Sequence, residues 1–288
     1  MKIKTIKHIF ALLLIVQLVF SYQLIAQQLK TPAPSPLQTI DQAFGLSNMK
    51  IEYSRPSVKG RIVFGDLVPY EKIWRTGANN ATKITFGDDV KIEGVDLKAG
   101  TYALYTIPNK DSWEILIYKD LTLGGDVTEY KTSDEVMRTK VKATTLPMKF
   151  ETFTINISDI TSSSSNIDLL WDMTKVSIKV TTDIDSKVMK NIDTALEKDS
   201  RPYFSAANYY YDNNKDLNKA LQWVNIAFDQ NPKAYWIVHL KAKIQLKMKD
   251  NKGAIESAEK SLMIAKEEKS DDYVKLNEKL ILEAKSGK

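Results

Sequence analysis

The sequence predicts an α+β multidomain chain, an antiparallel β-sandwich or barrel domain followed by an all-α domain of helical hairpins. Three observations predict it. From Leu37 to Thr182 apolar residues recur with a period close to two, in short runs. After Asp183 the period becomes helical. Within that second half, a pattern repeats itself at a spacing of 34 residues.

Taken in order, residues 1–26 read as a secretory signal. Lys2, Lys4 and Lys7 form a positive start, Ile9 to Phe20 is apolar apart from Gln17, and Ala26 ends a cleavage region. The apolar core is shorter than the roughly 20 residues a spanning helix needs, and no later stretch is long and apolar enough to span. Export to the periplasm or the extracellular space is therefore expected. Residues 27–36 follow as a flexible Pro/Ser/Gln tether.

The β domain is expected over residues 37–183. Its runs include Met49/Ile51/Tyr53, Ile84/Phe86, Trp113/Ile115/Ile117, Phe153/Ile155/Ile157, Ile167/Leu169/Trp171 and Val176/Ile178/Val180. Turn residues bound them, among them Glu93-Gly94 and Pro108 to Asp111. Tyr102 to Ile107 and Trp113 to Tyr118 make the clearest hairpin. Residues 120–140 lack alternation, which predicts a surface excursion with a short helix near Asp134 to Arg138.

A linking helix is expected over residues 184–198, with Val188, Ile192 and Leu196 on one face. Residues 199–288 then repeat. Lys215-Asp216 matches Lys249-Asp250, and at the same offset Ala220 matches Ala254, Leu221 matches Ile255, and Phe228 matches Leu262. This resembles tetratricopeptide repeats, whose small Ala residues let paired helices pack closely, although the Trp and Gly of their first helix are missing. Asp271 to Lys285 is a capping helix. Two units are few for a solenoid, so the tail is expected to lean on the β domain and to serve as a site for a protein partner. Tyr209, Tyr210, Tyr211, Trp223 and Trp236 read mostly as its core.

Composition excludes several functions. The chain has no cysteine and carries +5 formal charge, three of it in the signal. Residues 27–183 hold 19 basic and 20 acidic groups, and residues 184–288 hold 19 and 16, so neither half is the basic stripe that nucleic acid demands. Of two histidines, His8 leaves with the signal and His239 reads as packing. His- and Cys-based catalysis, and a zinc site of the usual kind, lack their residues. No cofactor and no metal site is expected.

One segment fits neither periodicity: Gly60 to Asn80, with Gly60, Gly65, Pro69 and Gly77 shaping its backbone. The chain uses 36 lysines and five arginines, yet Arg55, Arg61 and Arg75 fall within 21 residues, in and just before it. Arginine's planar fork suits carboxylate or phosphate and stacks on aromatic faces. Tyr53, Tyr70 and Trp74 supply such faces, and Asn79 with Asn80 adds amides. Arg55, Arg61, Trp74, Arg75, Asn79 and Tyr53 are the candidate ligand-binding residues, for an anionic or polyhydroxylated small molecule. The alternative is structural: the arginines pair with Asp66, Glu71 or Glu52 to tie down a long connection. A carboxylate or Ser–Lys envelope hydrolase is a further reading, with Asp66, Glu71 and Lys72 as its nearest residues. Asp88-Asp89 and Asp271-Asp272 read as turn and N-cap residues.

Within residues 36–181 the motifs Tyr53-Ser54-Arg55-Pro56, Gly60-Arg61, Phe64-Gly65, Leu67-Val68-Pro69-Tyr70, Trp74-Arg75-Thr76-Gly77-Ala78-Asn79 and Ala99-Gly100-Thr101-Tyr102 occur in this order. In them the chain resembles the secreted bacterial family catalogued as domain of unknown function 2911. The resemblance implies export and a β fold. It carries no activity, substrate or cofactor with it.

Overall fold

The computed structural model describes residues 31–198 and 201–287. The proposed signal, and the tether as far as residue 30, lie outside the described residues. The chain divides into two compact units at the Thr182–Asp183 boundary.

The described residues of unit one form a single antiparallel sheet of nine strands: β1 (Leu37–Phe44), β2 (Ser47–Ser54), β3 (Ala78–Phe86), β4 (Val90–Ile92), β5 (Val95–Leu97), β6 (Gly100–Ile107), β7 (Ser112–Tyr118), β8 (Glu135–Ser158) and β9 (Ser164–Thr181). Their order across the sheet is β1-β2-β3-β6-β7-β8-β9-β4-β5. The expected hairpin is β6–β7, with Leu104 opposite Ile117 and Tyr105 opposite Leu116. At the β4–β5 turn Glu93 and Gly94 both have positive φ, 50° and 84°, the backbone that a tight two-residue hairpin loop requires.

Strands distant in this order meet around one core. Met49, Ile51, Ile84, Trp113 and Ile115 pack in the same buried cluster as Phe153, Ile155, Leu169, Trp171, Ile178 and Val180. The sheet curls because β8 and β9 are long and bent. Their register shifts between Thr145 and Phe150 and again before Thr154, and Asp172 in mid-β9 adopts φ 53°. Such irregularities bend a strand and increase its twist. The curl brings the end of β2 beside β8: the Tyr53 hydroxyl accepts from Ile155 N at 2.8 Å, and Phe153 N donates to Pro56 O at 2.8 Å.

The helix expected near Asp134 to Arg138 is not formed. Thr132–Asp134 makes one 3₁₀ turn, and Glu135 already begins β8. Met137, Val141 and Ala143 are buried alternately with more exposed neighbours, a period of two interrupted in the sequence by the polar Thr139 on the same face. Pairing with β7, Leu116 opposite Arg138 and Trp113 opposite Val141, decides the conformation. Residues 119–131 do form an irregular excursion. It packs over the sheet's outer face, where Tyr105, Tyr118 and Leu116 form a second buried cluster with Leu121, Leu123, Val127 and Tyr130.

The described residues of unit two form six helices: α1 (Asp185–Glu197), α2 (Tyr203–Asp212), α3 (Leu217–Gln230), α4 (Tyr235–Lys247), α5 (Asn251–Glu267) and α6 (Asp271–Ser286). The repeated aspartates cap equivalent helices. Asp216 accepts from Asn218 N and Lys219 N at the start of α3, and Asp250 accepts from Gly253 N at the start of α5. Ala220 and Ala254, the matched small residues, are both fully buried. At α6 the N-cap position is Ser270, and Asp271 and Asp272 occupy the first turn, where acids complement the helix dipole. No helix among the described residues is long and apolar enough to cross a membrane.

Candidate functional site

Residues 55–77 connect β2 to β3 through tight, hydrogen-bonded turns. Gly65 N donates to Val68 O and Val68 N to Val63 O. Gly65 has φ 98°, and a Cβ there would meet the Tyr70 ring at 2.8 Å, so no other residue fits this turn. At Gly77, with φ 154°, a Cβ would stand 3.0 Å from Ser54 O. That close approach fixes the connection against β2.

Between these glycines the chain joins the sheet. Trp74 N donates to Thr106 O at 2.7 Å, and Thr106 N to Trp74 O at 2.9 Å. Extended backbone sends neighbouring side chains to opposite faces. Ile73 packs with the outer cluster, while Trp74 enters the inner core. There its ring stacks on Trp171 with centroids 5.8 Å apart and meets Phe153, Phe64 and Trp113 edge-on. Its indole donates to Gly77 O at 3.0 Å. Arg75 lies against the outer excursion: a Cβ on Gly125 would fall 1.7 Å from its guanidinium.

The six candidate residues separate into two groups. Tyr53 is buried, its hydroxyl bonded to Gln38 and Ile155, and burial pushes its phenol up from the usual value. Arg55 donates to Phe153 O at 3.1 Å and to Thr154 Oγ1 at 2.8 Å. Asn79 sits in the left-handed region at φ 58°, its amide donating to Ser35 O and Ser54 Oγ. These three bind the connection to its surroundings. Arg61, Trp74 and Arg75 instead line a cavity of 270 Å³, together with Pro56, Leu67 and Trp171.

None of Arg55, Arg61 and Arg75 forms an ion pair with Glu52, Asp66 or Glu71 among the described residues. Glu52 pairs with Lys50 at 3.3 Å, and Glu71 accepts from Asn109 at 3.4 Å. Arg61 donates to Ser57 O at 2.6 Å and Val58 O at 3.0 Å. Arg75 Nε is buried with no protein acceptor among the described residues, and so is Trp171 Nε1. Both residues line the same cavity. Trp171 escaped sequence reasoning because an indole in an alternating strand reads as core. Its orphaned N–H is visible only once the neighbours are placed.

Two further cavities frame the alternatives. Glu71 lines one of 290 Å³ with Glu114, Asn109, Ser112, Arg138 and Lys140. Glu114 accepts from Arg138 there at 2.7 Å. Asp66 and Lys72 are not among that cavity's lining residues. The other, of 520 Å³, lies in the helical unit and includes Tyr211 and His239. The imidazole of His239 is held below its usual pKa, by burial first and by Lys243 second, against a hydrogen bond to Asn277. Among the described residues no group of three or more His, Asp and Glu could hold a metal ion.

Comparison with known proteins yields one match. A family model described as "Protein of unknown function (DUF2911)" matches residues 35–180. No curated protein and no solved structure matches the chain.

Proposed function

Because the chain belongs to the DUF2911 family, whose description assigns no activity, we propose a function from the site itself: this is an exported binding protein of the cell envelope. Its β unit takes a small anionic or polyhydroxylated ligand at the Arg61, Trp74, Arg75 and Trp171 cavity. Its helical tail engages a protein partner.

One observation carries the ligand reading. Trp171 Nε1 is buried without a protein acceptor among the described residues, and Trp171 lines one cavity with Arg61 and Arg75; Arg75 Nε also lacks an acceptor there, but its guanidinium lies against Gly125 of the outer excursion. Buried donors are nearly always paired, and an orphan costs about 1–3 kcal/mol. A ligand rich in acceptor oxygens relieves that cost, and a carboxylate also answers the guanidinium fork. The remaining lining, Pro56, Leu67, Val68 and the tryptophans, favours a compact ligand with an apolar or ring face.

Native mass spectrometry of the full-length gene product, recovered from the envelope fraction, tests both parts. The expected result is a mature chain starting near Gln27 with a co-purifying small acidic or polyol adduct that Arg75→Lys abolishes. A chain retaining Met1 in the membrane pellet refutes export. A ligand-free chain unresponsive to carboxylates, phosphate and polyols in thermal-shift titration refutes the ligand site.

A further inference from the structure

The helical unit carries a second cavity of different chemistry. Its 520 Å³ cavity is lined by Tyr211 from α2, by His239, Lys243, Leu246 and Lys247 from α4, and by Leu276, Lys279, Leu280 and Glu283 from α6. His239, Lys243 and Lys247 stand at i, i+4 and i+8, so one face of α4 presents all three. Leu276, Lys279, Leu280 and Glu283 share one face of α6 by the same spacing. Every second helix thus contributes to a single wall.

Three ammonium groups and one carboxylate line the cavity, and His239 is held toward its neutral form, leaving a net charge of 3 − 1 = +2. Lys243 and Lys247 both lie over the Tyr211 ring, at 4.6 and 4.4 Å from its centre. Lys247 also donates to Tyr211 O at 2.7 Å. None of the three lysines is ion-paired to a carboxylate among the described residues. Like charges one turn apart on a helix disfavour it, and two ammoniums on one ring repel each other. The Tyr211 ring and carbonyl hold Lys243 and Lys247 in place, and their charges, with that of Lys279, face the cavity without a carboxylate partner among the described residues.

We propose that this groove binds an acidic peptide segment of a partner protein, its carboxylates placed on Lys243, Lys247 and Lys279 and an apolar side chain on Leu276. The volume exceeds what a lone inorganic anion fills. The apolar floor argues the same way: Leu276 is 46% exposed, and a bare anion leaves it wet. The Tyr211 ring is already engaged by Lys243 and Lys247. The inference deepens the reading of the tail as a protein-binding element and is independent of the β-unit cavity.

Fluorescence anisotropy on the full chain tests it, with fluorescein-labelled Ser-Glu-Asp-Leu-Glu-Asp-Leu-Glu as probe. The same peptide with Gln and Asn for its acids is the control, and inorganic phosphate and anionic lipid vesicles are competitors. Binding of the acidic peptide is expected to weaken about tenfold or more from low salt to about 0.5 M salt, as screening requires. The double variant Lys243→Gln, Lys279→Gln should also weaken it at least about tenfold, the loss of two charge-assisted contacts, with an unchanged helical melt. Arg75→Lys should leave it untouched. Equal binding of the neutral peptide overturns the charge argument while sparing a protein-binding tail. Binding lost on Arg75→Lys, or retained by the folded double variant, places the peptide elsewhere. Displacement by phosphate or vesicles at lower concentration than by unlabelled peptide assigns the groove to those anions instead.

Discussion

Replacing Arg75 by lysine distinguishes a ligand-binding guanidinium from a structural one. If Arg75 held a buried carboxylate, breaking that pair would cost about 3–5 kcal/mol. At about 2–4 °C per kcal/mol for a domain of this size, the melting temperature would fall by roughly 6–20 °C. The structure sets a smaller expectation. Arg75 Nε has no protein acceptor among the described residues, so the substitution removes an orphaned donor worth about 1–3 kcal/mol of desolvation. Against this stands the lost packing of the guanidinium on Gly125, where it lies against the α-carbon. The two terms oppose each other, and the melting temperature should move by no more than about 4 °C. Binding should respond differently. Lysine keeps the charge but not the two-pronged contact, and losing one charge-assisted hydrogen bond of about 1.5–3 kcal/mol weakens affinity roughly ten- to a hundred-fold. Differential scanning calorimetry and isothermal titration with glucuronate, a carboxylated polyol, read the two quantities. A melt lowered by more than about 8 °C, with glucuronate binding intact, would refute the reasoning and make Arg75 a structural residue.

Tyr53→Phe should do the reverse. It strips the acceptor from buried Ile155 N and a partner from Gln38, so about 2–3 kcal/mol of stability should go while ligand affinity holds; an unchanged urea midpoint would contradict the role given to it in closing the sheet. Alkaline pH should destabilise the β unit through Tyr105, whose phenol burial pushes up to about 12, with Tyr118 and Asp120 adding and Arg75 opposing. The unfolded phenol ionises near its usual value of about 10, so this contribution is complete below about pH 10 and fades as pH rises toward 12. Urea titrations across that window should show a slope that Tyr105→Phe reduces, and identical slopes would disprove the assignment. Among the helix caps, Asp250→Ala should cost more than the roughly 1 kcal/mol of Asp216→Ala, because Asp250 also accepts from buried Gln245 Nε2 at 3.0 Å; equal losses in chemical melts would argue against that network.

The sequence by itself determined the two-part architecture, because periodicity is a local property. Alternation in Trp113/Ile115/Ile117 and the capping aspartates 216 and 250 each act within a few residues, and the β6–β7 hairpin and the paired helices followed from them. It also drew attention to the 55–80 segment, since glycine and arginine depart there from the composition of the chain. Only the tertiary structure decided how those residues divide. Tyr53, Arg55 and Asn79 became fastenings because the curled sheet carries Phe153, Thr154 and Ile155 to them from about a hundred residues away in the case of Arg55 and Tyr53, and Ser35 meets Asn79. Among the described residues the same arrangement leaves Arg75 without a carboxylate partner. The conformation of residues 135–138 was set by lateral pairing with β7, which no local propensity encodes. The lysine groove formed for the same reason. Its residues are ordinary surface lysines in the sequence, scattered over α4 and α6, and become one site only when packing brings alternate helices side by side.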